Sequence, residues 1–181
     1  MYKAIGVIEL KSIPKGVEAA DAALKSAGVE MVSSHPSCPG KYEIILTGSI
    51  SNVTAAVNHV VAKFEGAVID SSIIGRIEES VICALFGTHT PERNGSLGLV
   101  ETFSAASAIK AADIAVKTAR VNIYDLRISR GMGGKGIIML TGEIGDVTAA
   151  VDAASKYAAD EAMLSSCSVI PAPHEELWSQ M

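Results

Sequence analysis

Apolar and polar positions along this chain alternate between two spacings. The run AIGVIEL at 4–10 is apolar at nearly every position and reads as a strand. Ser12 then stands where a helix cap is needed, Pro14 is tolerated in a first helical turn, and Gly28 can end the helix. Between them Val17, Ala20, Leu24 and Ala27 recur at helical spacing and predict the buried stripe, with Glu18, Asp21 and Lys25 opposite. Asp21 and Lys25 also form an i,i+4 pair of opposite sign. A second strand block, KYEIILTG at 41–48, precedes a helix whose apolar face is Val53, Val57, Val60 and Phe64.

The whole pattern is then written again. AIGVIELKSIPKGVEAADAALKSAGV from Ala4 matches SLGLVETFSAASAIKAADIAVKTARV from Ser96, a displacement of 92 residues. KYEIILTGSISNVTAAV from Lys41 matches KGIIMLTGEIGDVTAAV from Lys135, a displacement of 94, so the second copy gains two residues in the intervening loop. That loop holds Cys38 in the first copy and RGMGG in the second. Each copy reads strand, helix, strand, loop, strand, helix, strand. The expected fold is therefore α/β of the α+β kind, two tandem βαββαβ units with helices on one side of each sheet. The polar, turn-rich FGTHTPERNGS at 86–96 has linker character and puts the domains at 1–88 and 95–181. A duplicated unit favours closed, pseudosymmetric association, and three such chains would make a ring with six domain positions.

Composition narrows the function. Hydrophobic residues are 49% of the chain but aromatics only 4%, so small aliphatic side chains dominate and close backbone packing follows. With 15 Lys and Arg against 20 Asp and Glu, the net charge of −5 argues against a nucleic-acid partner. No apolar run reaches the length of a membrane span, and MYKAIGVIELK lacks the sections of a signal peptide, so a cytoplasmic protein is expected. Cys38, Cys83 and Cys167 are odd in number and far apart, and His35, His59, His89 and His174 are scattered, so neither a disulfide framework nor a chain-local metal site is indicated. RGMGGKG at 130–136 lacks the Lys-Ser/Thr ending of a phosphate loop and runs into a strand pattern instead of a helix.

AADAALKSAGV, LTGSISNVTAAV and the ending SVIPAPHEELW resemble the bacterial microcompartment shell domain, and the duplication resembles its tandem-domain, trimeric class. Within that class SCPGK at 37–41 resembles the iron-sulfur-binding type of propanediol-utilisation compartments. The resemblance implies a non-enzymatic shell protein, a pseudo-hexameric homotrimer tiling with other shell proteins in the compartment shell, with neither nucleic acid nor membrane as partner. It places Pro36, Ser37, Cys38, Pro39 and Gly40 at the central pore, with Met132, Gly133 and Gly134 where the second copy replaces Cys38, Pro39 and Gly40. Lys25 and Lys117 become tile-edge residues, and Arg76 takes the place of the arginine in the family's PRPH ending, where the second copy has Ala172.

A lone loop cysteine is ordinarily inert, but on a three-fold axis three Cys38 thiolates would face one point. A [4Fe-4S] cluster has a three-fold axis through any one iron and is normally held by Cys thiolates. The resemblance thus implies one cluster per trimer ligated by Cys38 of three chains, plugging the pore and carrying electrons across the shell, with encapsulated redox enzymes as partners. The alternative is a metal-free trimer whose pore conducts small metabolites. From another class, a soluble enzyme with Cys38 as nucleophile would need a base, and His35 is the nearby candidate. Cys83 and Cys167 lie in apolar surroundings and are read as buried structural cysteines, and His35 as a solvated loop histidine; Lys41 and Lys135 are read either as offsetting the negative charge of a thiolate-bound cluster or, by preference, as solvated. Glu9 and Glu101 repeat with the fold, and repetition alone is no evidence of an acid/base pair.

Overall fold

The computed structural model describes residues 4–90, 93–128 and 131–181. The first copy consists of β1 (Ala4–Leu10), α1 (Ile13–Ser26), β2 (Glu30–Ser37), β3 (Lys41–Gly48), α2 (Ile50–Lys63) and β4 (Val68–Gly75), followed by α3 (Glu79–Leu85). The second consists of β5 (Ser96–Thr102), α4 (Ala105–Thr118), β6 (Asn122–Ile128), β7 (Gly136–Gly142), α5 (Ile144–Asp160) and β8 (Leu164–Ile170), followed by α6 (Glu175–Trp178). Each copy forms one antiparallel sheet, ordered β2-β3-β1-β4 and β6-β7-β5-β8. Two βαββαβ units are thus present, as the repeat predicts. Among the described residues no helix is long and apolar enough to cross a membrane.

Successive residues of β1 serve opposite faces. Ala4, Ile8 and Leu10 join Ile44, Leu46, the α2 residues Val53, Val57 and Val60 and the residue that caps α2, Phe64, in one core, as the helical spacing predicts. Gly6 lies on the same face because a Cβ there would meet Val57 at 2.6 Å and Val53 at 2.9 Å. Ile5, Val7 and Ile45 point the other way and share a second core with Ala106, Ala108, Ile109 and Ala112 of α4. The far face of the first sheet is therefore covered by the second domain.

The stripe expected on α1 is corrected. Its buried residues are Gly16, Ala19, Ala20, Ala22 and Ala23, whereas Val17 is 54% and Leu24 44% exposed. Small side chains let the helix lie close to the sheet; a Cβ at Gly16 would overlap the Tyr42 ring. Ser12 does precede α1, but its side chain makes no capping bond, while its repeat partner Ser104 accepts from the Ser107 N–H at 3.0 Å. α3 is an element the repeat alone did not reveal, and it packs on β6 of the second domain.

Candidate functional site

Cys38 occupies a four-residue turn between β2 and β3, closed by the Gly40 N–H donating to the Ser37 carbonyl at 2.9 Å. The Cys38–Pro39 peptide is cis, and Gly40 has φ of +97° in open space, where a side chain would strain the backbone without meeting a neighbour. Cys38, Pro36, Pro39 and Gly40 are exposed, and Ser37 is buried at the strand end. The second-copy turn contains Gly131, Gly133 and Gly134, all at positive φ, with Met132 half-buried and Gly133 exposed; Ser129 and Arg130 lie outside the described residues.

The two turns meet. Gly134 is buried, and a Cβ there would lie 2.8 Å from the Cys38 carbonyl oxygen and 2.9 Å from Lys41 Nζ, so only glycine lets the turns approach this closely. Lys41 fastens them: its Nζ donates to the carbonyls of Gly134 at 3.0 Å and Phe103 at 3.2 Å and stands 3.6 Å from Glu9 Oε1. Its side chain is only 14% exposed, which corrects the expectation of a solvated lysine. The second-copy lysine, Lys135, pairs with Glu101 at 2.8 Å and lies over the Phe103 ring.

Behind Lys41 a row of ionisable residues runs across the first sheet. The register pairs His35 with Glu43, Glu43 with Glu9, and Glu9 with Asp70, all on the face toward the second domain. Glu9 and Glu43 are fully buried. The N-terminus of α4 caps the row: the Ala105 N–H donates to Glu9 Oε2 at 3.0 Å, and the Ser104 and Ser107 hydroxyls donate to Asp70. Burial pushes the Glu9 carboxyl up to about 7 against the opposing charge of Lys41, with Glu43 raising it further. Its repeat partner Glu101 is held low by hydrogen bonds from Lys135 and Ser165. His35 lies on β2, half-buried, with its Nδ1 enclosed and unpartnered, and is not a solvated loop residue. Glu43 and Asp70 escaped the sequence reading; the available signal was acidic residues inside otherwise apolar strands.

The other cysteines also differ from expectation. Cys83 is half-buried on α3, and Cys167 is exposed on β8, the last strand of its sheet. Among the described residues no three His, Cys, Asp or Glu side chains gather as metal ligands within one chain.

The expected edge residues fall in unequal settings. Lys25 and Asp21 form an exposed pair at 2.6 Å. Lys117 and Asp113 form the equivalent pair, also at 2.6 Å, and grip the turn after β4: Lys117 donates to the Arg76 carbonyl at 2.8 Å and Asp113 accepts the Glu78 N–H at 2.9 Å. Arg76 itself is exposed with φ of +50°. The whole α4 surface follows this contrast. Ala105 and Ile109 are fully buried, whereas their α1 counterparts Ile13 and Val17 are 40% and 54% exposed. Correspondingly, Val7, Glu43 and Ile45 are buried under α4, while Leu99, Ile137 and Met139 of the second sheet are partly open.

The BMC domain model matches residues 4–77 and 96–173. The chain is 40% identical over 181 residues to the bacterial microcompartment shell protein PduT of Citrobacter freundii, spanning 100% of this chain and 98% of that protein. It is 29% identical to the carboxysome assembly protein CcmO of Synechococcus elongatus, covering 98% of this chain and 68% of that one. A microcompartment protein of known crystal structure from Desulfitobacterium hafniense superposes with a TM-score of 0.83 at 37% identity, over 99% of both chains. A fused, permuted hexameric shell protein of the RMM microcompartment gives 0.66 at 25% identity, over 86% of this chain and 81% of that one. The chain therefore belongs to the BMC-domain family and carries two copies of that domain in tandem.

Proposed function

We propose that this protein is a structural shell protein of a bacterial microcompartment, that three copies close into a homotrimeric tile, and that Cys38 from each chain ligates one [4Fe-4S] cluster at the pore. The observation that carries the tile is the inequality between the two copies. α4 fills the far face of the first sheet, while α1 leaves Ile13, Val17 and Leu24 exposed and the far face of the second sheet is only partly covered. Placing α1 of one chain on the second sheet of another would repeat the seam already made within the chain, a head-to-tail contact of the kind that closes rings.

The donor chemistry suits the cluster. A thiolate is the ordinary ligand of such iron, Cys38 is exposed at a turn tip, and each chain offers one such donor there, which matches the proposed meeting of three chains. When bound, the cluster supplies reversible one-electron transfer, which at a pore serves electron passage across the shell. Lys41 and Gly134 hold the Cys38 turn against its second-copy counterpart.

Anaerobic purification with iron, sulfide and mass measurement tests both parts. A brown protein at three times the 18.7 kDa chain mass, with about four irons and four sulfides per trimer, is expected. A colourless trimer without iron overturns the cluster and leaves a pore for small metabolites. A monomer overturns the tile.

A further inference from the structure

The ionisable row between the domains gathers more carboxyl groups than it has hydrogen-bond donors for: Glu43 Oε1 is buried and without a partner. Three carboxyl groups, Glu43, Glu9 and Asp70, stand in adjacent register positions, and Lys41 stands 3.6 Å from the middle one, Glu9. Asp70 is satisfied by the two α4 hydroxyls. Glu9 has Lys41 and the Ala105 N–H. Glu43 is 1% exposed and its Oε1 has no hydrogen-bond partner; the residue directly opposite, His35, has an enclosed Nδ1 equally without one. Directly opposed residues of an antiparallel pair hold their Cβ atoms about 5 Å apart, within reach for exchange between an imidazole and a carboxyl group. His35 also lines a cavity of about 430 Å³ between the domains, together with Ile45, Leu85, Phe86, Leu126 and Arg127. At the opposite end, beyond Asp70, Tyr157 approaches Ser72 at 3.4 Å and Lys110 lies over its ring.

We propose that Glu9 and Glu43 form a buried proton-binding site, filled from the inter-domain cavity through His35 and linked by Lys41 to the Cys38 turn, so that negative charge gained at that turn draws in a proton from solvent. Two adjacent buried carboxylates repel one another and are poorly solvated, so Glu9, between Glu43 and Asp70, keeps its proton up to near neutral pH. The direction of the Glu9 shift agrees. Lys41 spans the distance, contacting Glu9 on one side and Gly134, packed on the Cys38 carbonyl, on the other. The linkage to the turn rests on the cluster reading; the proton site does not. Above about pH 7, where Glu9 has released its proton, an external one-electron donor, dithionite in the test, would reduce the bound cluster, and one solvent proton would bind the pair, taking it from doubly to singly ionised.

Carboxyl ¹³C NMR of the iron-free full-length protein tests the site alone. One glutamate resonance titrating near neutrality is expected, lost in Glu9→Gln and displaced in Glu43→Gln; every glutamate titrating below about pH 5.5 overturns the site. After a pH jump, His35→Phe should slow the decay of the protonated-carboxyl infrared band, and an unchanged rate overturns the His35 route. In iron-loaded protein the midpoint potential should fall with pH above about 7, with a slope approaching about 59 mV per unit, the one-electron, one-proton value, and Glu9→Gln should flatten it. A flat wild-type profile overturns the linkage. Failure to take up iron overturns the cluster reading and the linkage together, leaving the NMR titration to decide the proton site.

Discussion

Single residues in this chain mean different things in its two halves. Glu9 and Glu101 are repeat partners, yet burial between domains raises one and paired donors lower the other. Cys38 and Met132 stand at equivalent turn tips, and only the first can offer a thiolate. Cys38→Ser should therefore remove iron and sulfide without changing the trimer mass, because the side chain is exposed and outside either core. Cys167→Ser, also at an exposed position, should leave the metal content unchanged. Gly16 gives a sharper steric case. Alanine gains about 1 kcal/mol of helix propensity there, but its methyl overlaps the Tyr42 ring. Overpacking of that kind costs about 1–3 kcal/mol, so denaturant unfolding of Gly16→Ala should show a net loss of stability.

Among the elements, α1 and α4 are nearly the same helix in different surroundings. Each starts after a serine and carries an Asp-Lys pair one turn apart, and each packs on its own sheet through alanines. α4 is buried on a second side as well, and α1 is not. Val17→Asp should then change the unfolding free energy of an isolated chain by about 0.5 kcal/mol or less while lowering the assembled mass to that of one chain. The matching substitution on the buried helix, Ile109→Asp, puts an unpaired carboxylate into the core and should cost about 4 kcal/mol or more. Light scattering and chemical unfolding on the same samples separate the two effects. Equal destabilisation by both substitutions would contradict a role for the α1 face in assembly.

For the whole molecule, the seam between domains makes stability depend on pH. The Glu9 carboxyl titrates at an ordinary value of 4.5 when unfolded and at about 7 when folded. Below the first value both states hold the proton and no penalty arises. As pH rises from about 4.5 to 7 the unfolded state releases its proton first, so stability falls, and above about 7 the loss is complete. Its size is on the order of 3 kcal/mol. Glu9→Gln stays neutral throughout and should abolish most of that slope in unfolding curves measured between pH 4.5 and 8. A wild-type stability that rises across this window would show that the seam does not hold Glu9 as described.

The repeat, the alternation of strands and helices, the apolar face of α2 and the turn holding Cys38 were legible in the sequence, because each depends on short-range spacing and turn chemistry. The burial of α1 was not, since alanines and larger aliphatics both satisfy a helical period and only packing distance chooses between them. Nor was the partnership of His35, Glu43, Glu9 and Asp70, which come from four separate strands. Their alignment follows from strand order and register, and their burial from a second domain laid over the sheet. The sequence by itself determined that two like units exist and where a thiol is presented. The tertiary structure decided which face of each unit is covered, because covering one sheet with the neighbouring domain makes two nearly identical repeats chemically unequal.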